Sequence, residues 1–201
     1  MHLRPVGRSA LLVECADAGE VAAAYADLRA RAGDLGAVDV VPAARTVLLD
    51  GLSDPAGVAA RLAGWEPAPG GAAGSGAVVE VPVRYDGPDL GEVAAQWGVD
   101  VAEVVRLHTS TVFRVAFCGF VPGFAYCTGL PAGRTVRRRD EPRTRVPAGS
   151  VALAGEFTSV YPSASPGGWQ LIGTTDLAVW RADEEHPALL APGARVVFVD
   201  A

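Results

Sequence analysis

Apolar and polar positions divide the first third of the chain into short apolar runs and longer mixed stretches. The short runs have the pattern of half-buried strands and lie at 10–15, 38–41 and 46–50. The stretch 17–31 is predicted to be a helix because its acidic first turn suits the helix dipole, and a second helix begins at Asp54 with proline at its first position. The order strand, helix, strand, strand, helix predicts a small α+β domain of ferredoxin-like type.

The pattern is different in the remainder of the chain. An alternating strand at 77–83 precedes two helical pieces, 89–97 and 100–108, and the second of these starts with Asp100 three residues before Glu103, as in a capping box. Short apolar runs divided by glycine and proline then follow at 112–117, 150–154, 169–172, 178–180 and 195–199. Short strands separated by turn signals predict a barrel or a sandwich.

An uncharged segment of glycine, proline, alanine and serine, 67–76, separates the two patterns. Burial of such residues releases too little free energy to offset the entropy lost on ordering them, so the segment is predicted to be a flexible linker. The chain has 201 residues, of which half are apolar, and this is enough for two small domains. We therefore expect one domain at 1–66 and another at 77–201.

Charge and cysteine content limit the class of protein. A net charge of -6 argues against nucleic acid as the main partner. The 3 cysteines include no C-x-x-C pair and are expected to be reduced thiols rather than a disulfide framework or a zinc site. The first residues lack a signal-peptide pattern, and no apolar run reaches the roughly 18 residues of a membrane span. The sequence therefore predicts a cytoplasmic protein that binds no membrane.

Residues 117–174 carry the most informative stretch of the chain, with glycine and proline in dense alternation. Glycine permits positive φ, whereas proline fixes φ and lacks a backbone donor, so this alternation specifies the shape of loops. Aromatic rings, arginines and hydroxyls lie between them. The segment is predicted to form a shaped polar pocket or a surface that docks a partner.

His108 and the pair Arg143 and Arg145 are the main candidates for chemistry. His108 ends the second helical piece and either transfers protons near neutral pH or caps the carbonyls of the helix. Arginines two positions apart in an extended segment point the same way, so they either converge on one carboxylate or phosphate or form a solvated or ion-paired couple. The arginines at 137–139 are expected at the surface.

The other polar groups match no established catalytic constellation. Ser150, Thr158, Ser163 and Ser165 lack the Gly-x-Ser-x-Gly spacing of a nucleophile and are interpreted as turn and cap hydroxyls. The sequence contains neither a Walker A motif nor Gly-x-Gly-x-x-Gly, so any nucleotide site is unconventional. Histidines and carboxylates lack metal-ligand spacing, and no bound metal is predicted.

Three motifs, at 119–126, 142–151 and 165–173, are specific in combination. They read Gly-Phe-Val-Pro-Gly-Phe-Ala-Tyr, Pro-Arg-Thr-Arg-Val-Pro-Ala-Gly-Ser-Val and Ser-Pro-Gly-Gly-Trp-Gln-Leu-Ile-Gly. With His108 ahead of them, they closely resemble the family that contains the first subunit of allophanate hydrolase, the Kip-type inhibitor of a sporulation histidine kinase, and the B subunit of the ATP-dependent bacterial 5-oxoprolinase. The resemblance covers the chain from about residue 78 to about residue 199.

The resemblance implies a cyclophilin-like β-barrel in the second domain and a likeness to half of the carboxyltransferase region of urea carboxylase. It also implies two companions, one of the subunit-C or allophanate hydrolase subunit 2 type and one of the LamB/YcsF type. The function it favours is that of a non-autonomous 5-oxoprolinase subunit, which opens the lactam ring of 5-oxo-L-proline to L-glutamate with ATP as cosubstrate at a shared site. The isolated chain is expected to be inactive.

Residue types and the resemblance together assign roles to individual positions. Arg143 and Arg145 are expected to bind an anion, and His108 to transfer a proton or orient the substrate. Polar contacts to substrate or ATP are expected from Tyr126, Ser150, Thr158, Ser165 and Gln170. A partner interface is expected at Phe120, Phe124 and Trp169, because segments so rich in glycine and proline are predicted to leave several rings outside the barrel core.

Two departures separate this chain from the family pattern. Residues 156–161 replace the usual Gln-Thr-Gly-Ile-Tyr, and Thr174 stands where the family commonly has an arginine, which removes a fixed positive charge. Two alternative functions stay open beside the 5-oxoprolinase subunit. One is a Kip-like protein that binds and inhibits a sensor histidine kinase, and the other is a subunit of a urea-carboxylase-like carboxyltransferase to which a partner delivers biotin.

Overall fold

A computed structural model describes residues 1–67 and 78–201, which fall into two compact units, Met1–Ser75 and Gly76–Ala201. Each unit has a buried apolar cluster of its own and is described by itself. Apart from Pro67, the predicted linker at 67–76 lies outside the described residues and stays a prediction.

The N-terminal unit contains a four-stranded antiparallel sheet with the strand order β1-β2-β4-β3. Its elements are β1 (His2–Val6), β2 (Ala10–Glu14), α1 (Ala18–Ala30), α2 (Ala32–Leu35), β3 (Asp39–Pro42), β4 (Thr46–Asp50) and α3 (Pro55–Arg61). Alternate residues of β2 and β4 are fully buried because side chains of a strand point to opposite faces in turn. These residues, Leu11, Val13, Val47 and Leu49, share one cluster with Leu28 of α1.

The connectivity of this unit differs from that of a ferredoxin-like domain. Both helix starts are as predicted, since Asp17 accepts the N–H of Glu20 and Asp54 accepts the N–H of Gly57. The sequence pattern misses β1, because all but one of its residues are exposed and no alternation marks it. With β1 paired to β2, and the one-turn α2 left aside, the order is strand, strand, helix, strand, strand, helix. The ferredoxin-like assignment is therefore not confirmed.

The C-terminal unit is a nearly closed barrel of seven strands in the order β12-β9-β10-β7-β6-β13-β5. Its elements are β5 (Val78–Val83), α4 (Leu90–Trp97), α5 (Val101–Ser110), β6 (Phe113–Cys118), β7 (Ala125–Thr128), β8 (Arg143–Val146), β9 (Ser150–Ala154), β10 (Phe157–Val160), β11 (Ser165–Gly167), β12 (Gln170–Thr174) and β13 (Arg195–Asp200). The two end strands meet at one bridge, where Arg84 and Thr174 exchange backbone hydrogen bonds of 2.8 Å. This bridge joins the edges of the sheet.

A second apolar cluster lies on the outer face of the barrel sheet, beneath the two-stranded ribbon of β8 and β11. Every residue of β9 is buried, and its residues alternate between the two clusters. Val151 and Leu153 belong to the barrel interior, whereas Ala152 and Ala154 belong to the outer cluster. The small alanine side chains leave room on that face for the larger rings that pack over it.

The mainly β barrel predicted for the second domain is confirmed, and α4 and α5 match the two predicted helical pieces. The run 178–180, predicted to be a strand, makes only an isolated bridge between Trp180 and Ala188. The sequence pattern also misses the barrel strands β7 and β10 and the ribbon strands β8 and β11, because each is only 3 or 4 residues long. Among the described residues, no helix has both the length and the apolar content needed to cross a membrane.

Candidate functional site

Asp89 is the centre of the most unusual polar arrangement in the barrel unit. It lies just before α4 and is 5% exposed, yet its side chain does not cap that helix. Its Oδ1 accepts hydrogen bonds from Arg139 Nη1 at 3.1 Å and from Arg143 Nη2 at 2.8 Å. Its Oδ2 accepts the backbone N–H of Leu171 at 2.7 Å, and its own N–H donates to the Leu171 carbonyl at 3.0 Å. Asp89 is thus fixed to β12 and holds two guanidinium groups.

The Asp89 cluster, defined here as Asp89, Arg139, Arg143 and Gln170, has an excess of positive charge. One carboxylate faces two guanidiniums, and the Arg143 side chain is only 23% exposed. Arg139 Nε and Arg143 Nη1 are buried and have no hydrogen-bond partner among the described residues. Each such donor costs roughly 1 to 3 kcal/mol when it is left unpaired, and native proteins retain few of them. The two unpaired donors are therefore suited to the binding of a group that accepts hydrogen bonds.

Gln170 contributes the remaining polar group of the cluster. It is 4% exposed, and its Nε2 donates to the Arg137 carbonyl at 3.1 Å, which leaves Oε1 without a donor among the described residues. The backbone N–H of Arg139 donates to the Gly168 carbonyl at 2.8 Å and ties the same segment to the chain before Gln170. An open cavity of about 550 Å³ lies beside these residues, lined by Asp89, Glu92, Gln96, Arg137, Arg138, Arg139, Asp140, Glu141 and Gln170.

Aromatic rings of the outer cluster lie beside Arg138, which lines this cavity. The Arg138 guanidinium lies 6.0 Å from the centre of the Trp169 ring. Burial raises the pKa of Tyr161, while a hydrogen bond from the Trp169 backbone and the charges of Arg138 and Arg143 oppose the rise. Burial also raises the pKa of Tyr126, and the positive charge of Arg138 opposes this rise. The predicted contact residue Tyr126 therefore lies within electrostatic range of one arginine of this region.

The third motif requires glycine at position 167 because there is no space for a side chain there. A Cβ atom at this position would overlap the hydroxyl of Tyr161. Tyr161 is 1% exposed and belongs to the outer cluster, so it has little room to move away. Glycine at 167 thus permits the ribbon strand β11 to lie directly on the tyrosine ring.

His108 lies inside the barrel rather than in the Asp89 cluster. Its ring packs 4.3 Å from the Phe198 ring, its Nδ1 is 2.7 Å from the Tyr85 hydroxyl, and its Nε2 is 2.9 Å from Thr158 Oγ1. Because Thr158 donates to the Ala152 carbonyl, we assign the Nε2 proton to a bond with Thr158 and the Tyr85 proton to a bond with Nδ1. Burial lowers the pKa of His108 to about 3, so the ring is neutral at physiological pH. The structure joins His108 to Thr158 but not to the arginines.

The structure does not bring Arg143 and Arg145 together, and it shows the alternative of an ion-paired and a solvated arginine. Arg143 binds Asp89, whereas Arg145 is exposed and makes no hydrogen bond or ion pair within 1–67 and 78–201. The reason is an irregularity of the ribbon, in which Val146 pairs with Ser165 and Arg143 with Gly167, so that β8 contains one more residue than β11. A bulge of this kind interrupts the alternation of side chains. Arg139, expected at the surface, is the arginine that joins Arg143.

The other predicted contact residues are dispersed. Ser150 is buried and its hydroxyl donates to the Pro147 carbonyl at 2.9 Å, as a turn hydroxyl does. Ser165 lies on the ribbon, and its buried Oγ has no partner among the described residues. Thr174 donates to the Asp86 carboxylate at 3.0 Å, beside the bridge that joins the barrel edges. Gln170 is the predicted contact that the structure brings to Asp89.

The predicted partner interface needs correction at two of its three rings. Phe124 is 1% exposed and Trp169 is 4% exposed, and their ring centres are 5.3 Å apart in the outer cluster. The glycine and proline residues fold the loop back onto the barrel and so bury these rings instead of leaving them outside. Phe120 alone of the three is exposed, at 58%, and its φ of 72° is unfavourable for a bulky residue. Backbone strain of this kind costs about 1 to 3 kcal/mol and is concentrated at functional sites.

Sequence reasoning missed Asp89 and Arg139. An aspartate at the start of a helix is an ordinary signal, and Asp89 lies 50 residues from Arg139 and 54 from Arg143. No local pattern links residues at that separation. The 3 cysteines are free thiols in the structure, and burial raises the pKa of Cys118 to about 11. Within the described part of the chain, no three histidine, cysteine or carboxylate side chains are grouped to hold a metal ion.

Comparison with known proteins gives a consistent result. Residues 1–190 match the family described as carboxyltransferase domain, subdomain C and D. The B subunit of 5-oxoprolinase from Escherichia coli O157:H7 is 50% identical over 124 residues, which are 60% of this chain and 57% of that protein. The chain thus spans less than two thirds of the length of this curated relative.

Two solved structures share the fold. The crystal structure of TTHA0988 has a TM-score of 0.78 and 38% identity, and the match covers 96% of this chain and 40% of that one. The urea carboxylase of Kluyveromyces lactis has a TM-score of 0.71 over 99% of this chain and 21% of its own. Its identity is 18%, so that likeness shows the fold alone.

Proposed function

Because this chain belongs to the family of carboxyltransferase domains with subdomains C and D, we propose that it is a non-autonomous subunit of an ATP-dependent 5-oxoprolinase. The support is the curated relative, which is named as a B subunit of 5-oxoprolinase, together with the three motifs. The proposed companions are a subunit-C or allophanate hydrolase subunit 2 type protein and a protein of the LamB/YcsF type. The proposed location is the cytoplasm.

The observation that carries the proposal is the pairing of Arg139 and Arg143 on Asp89. The two guanidiniums are held in fixed positions, and each retains a buried N–H without a partner among the described residues. Fixed donors aimed at developing negative charge are usually the largest contribution to catalysis of this type. We assign this chain the binding of the substrate carboxylate or of the oxygen on which negative charge develops.

The reaction requires such stabilisation because an unstrained lactam is a poor electrophile. In the proposed sequence, the lactam oxygen takes the terminal phosphoryl group of ATP, and ADP leaves. Water then adds to the ring carbon, the C–N bond breaks with its electron pair going to nitrogen, and nitrogen takes a proton. A second water releases phosphate from the resulting acyl phosphate, so that one ATP and two waters give glutamate, ADP and phosphate.

The proposal divides this chemistry among subunits. His108 is neutral, buried and bonded on both ring nitrogens, which makes it poorly suited to move protons to a bound substrate. We therefore assign proton transfer and most of the ATP site to the companions, and substrate positioning to the Asp89 cluster. In this proposal, His108 with Tyr85 and Thr158 maintains the barrel interior.

Reconstitution is the direct test. The chain alone should show no 5-oxoproline-dependent ATP hydrolysis, and the complex with both companions should show it. Release of phosphate and formation of glutamate should be measured in the same samples, because an ATPase without ring opening would not meet the proposal. Robust turnover by the chain alone would contradict the division of the site.

One observation favours the Kip-like alternative. Phe120 is exposed and strained at the tip of a loop, which suits a docking surface on any protein partner, including the helices of a kinase. A purified sensor histidine kinase whose autophosphorylation falls on addition of this chain, with no effect of the 5-oxoprolinase companions, would favour that function.

A further inference from the structure

Gln170 lies at the start of β12 and has one hydrogen-bond acceptor that no described residue uses. It pairs with Leu153 of β9 in the barrel sheet and is 4% exposed, so the sheet fixes its backbone and packing limits its side chain. Its Nε2 donates to the Arg137 carbonyl at 3.1 Å. Because a carbonyl oxygen can only accept, this bond determines the orientation of the side-chain amide. Oε1 is therefore the free atom, and it is buried.

Arg139 supplies an unused donor at the same cavity. Its Nη1 donates to Asp89 at 3.1 Å, its backbone N–H donates to the Gly168 carbonyl, and its Nε is buried without an acceptor among the described residues. Arg139 and Gln170 both line the open cavity of about 550 Å³. The cavity thus has one fixed donor and one fixed acceptor that are available to a ligand.

Hydrogen-bonding groups, rather than net charge, decide which ligand suits this cavity. Its lining contains acidic and basic side chains in similar number, namely Asp89, Glu92, Asp140 and Glu141 against Arg137, Arg138 and Arg139. The two unused atoms are shielded from bulk water, so a ligand that fails to pair them leaves buried polar groups unsatisfied. The favoured ligand therefore carries an acceptor and a donor close together.

A lactam presents these two groups on one edge. Closure of a small ring holds the amide in the cis form, so the carbonyl oxygen and the N–H lie side by side, whereas a trans amide presents them on opposite edges. We propose that Gln170 is a specificity-determining residue whose Oε1 accepts the lactam N–H, while Arg139 Nε donates to the lactam oxygen. The inference rests on the proposed function for the identity of the ring, and it assigns the Asp89 cluster to the reacting amide rather than to the substrate carboxylate.

The test compares two ligands that differ at one ring position. One is 5-oxo-L-proline, and the other is the γ-lactone of L-α-hydroxyglutaric acid, which has the same ring size and carboxylate but an oxygen in place of the N–H. Dissociation constants are measured without ATP by NMR titration, for the chain alone and for the chain with both companions. The wild type should bind the lactam at least about tenfold more tightly, because the lactone leaves Oε1 unpaired and turns a second acceptor towards it.

Gln170→Met removes the acceptor with little change in volume and should bring the two dissociation constants to within about threefold of each other. Gln96→Met is the matched control, because Gln96 lines the same cavity but its Nε2 donates to Glu92 and its Oε1 accepts the Arg137 N–H. This control should keep the wild-type ratio. Arg139→Lys should weaken both ligands by a similar factor, since both carry the carbonyl oxygen. Gln170→Glu retains an acceptor and should keep a preference for the lactam, which provides a second variant if Gln170→Met does not fold.

The outcomes separate this inference from the proposed function. Equal affinity of the wild type for the two ligands, or a preference that persists in Gln170→Met, would overturn the inference, and turnover of 5-oxoproline by the same complex would leave the proposed function intact. The absence of saturable binding of either ligand, to the chain and to the complex, would overturn the inference as well. A preference that is lost in Gln170→Met, in a complex without 5-oxoproline-dependent ATP hydrolysis, would support the inference and overturn the proposed function.

Discussion

Asp89 and Arg143 are 54 residues apart in the chain, and their side chains meet at 2.8 Å in a partly buried ion pair. The pair joins the turn before α4 to the ribbon strand β8, which lies over the outer face of the barrel. The loss of Arg143 would leave the buried carboxylate of Asp89 with Arg139 as its one remaining cation among the described residues.

Asp89→Asn should destabilise the barrel unit by about 1.5 to 3 kcal/mol, because a buried carboxylate that accepts charged hydrogen bonds from two partly exposed guanidiniums is lost. Chemical denaturation followed by tryptophan fluorescence measures the change. Asp86→Asn is the control, since Asp86 is exposed and its change should cost less than about 1 kcal/mol. Equal effects of the two substitutions would show that the Asp89 pairs contribute little to stability.

Arg143→Ala should lower kcat/KM of the reconstituted complex by about 100- to 1,000-fold, the usual effect of losing one fixed donor to a developing negative charge. Arg145→Ala should change it by less than about twofold, because Arg145 is exposed and unpaired within the described residues. Steady-state kinetics decides, and circular dichroism confirms that both variants remain folded. A similar loss for Arg145→Ala would place the anion elsewhere on the ribbon.

The stability of the chain should fall as pH drops below about 6.5, and His108 should account for part of the fall. Burial lowers the pKa of His108 from 6.5 to about 3, so the unfolded chain binds a proton in this interval that the folded chain does not bind. The free energy of unfolding therefore decreases by up to about 1.4 kcal/mol per pH unit from this group. The free energy of unfolding, measured with urea from about pH 7 to about pH 4, should depend less steeply on pH for His108→Gln than for wild type. Identical slopes would mean that His108 titrates normally.

Gly167→Ala should destabilise the chain by about 1 to 3 kcal/mol, because its Cβ overlaps the Tyr161 hydroxyl. Tyr161→Phe in the same chain should recover part of the loss, and a double-mutant cycle measures that coupling. Gly91→Ala is the control, because Gly91 lies in α4 and a Cβ atom added there would contact nothing. This substitution should raise the free energy of unfolding by about 0.5 to 1 kcal/mol. Additive effects at 167 and 161 would contradict the overlap.

Features with a local cause could be predicted from the sequence. The helix starts at Asp17, Asp54 and Asp100 follow from a side chain that accepts an N–H three residues later. The longer barrel strands, β5, β6, β9, β12 and β13, follow from apolar runs between turn signals. The strands β7, β8, β10 and β11 do not, because they are only 3 or 4 residues long, and β1 does not because most of its residues are exposed.

The site could be predicted only in part, because its contacts are long-range. The sequence marks Arg143 as an anion-binding residue, but its carboxylate partner and the second arginine come from distant segments. The bulge that turns Arg145 to solvent is a property of strand pairing, which no single strand encodes. The burial of Phe124 and Trp169 likewise depends on how the loops fold back onto the sheet.

The burial of β9 on both faces has a consequence for the divergence of related sequences. Val151 and Leu153 fill the barrel, while Ala152 and Ala154 support the rings beneath the ribbon, so neither face of the strand is free to vary. A methyl group gained at 152 or 154 would displace the rings beneath Arg138, and a cavity at 151 or 153 would let the strand shift inward. Substitutions inside the barrel are therefore expected to reshape the outer site, and the ligand preference of this fold can change without any substitution in a residue that contacts the ligand.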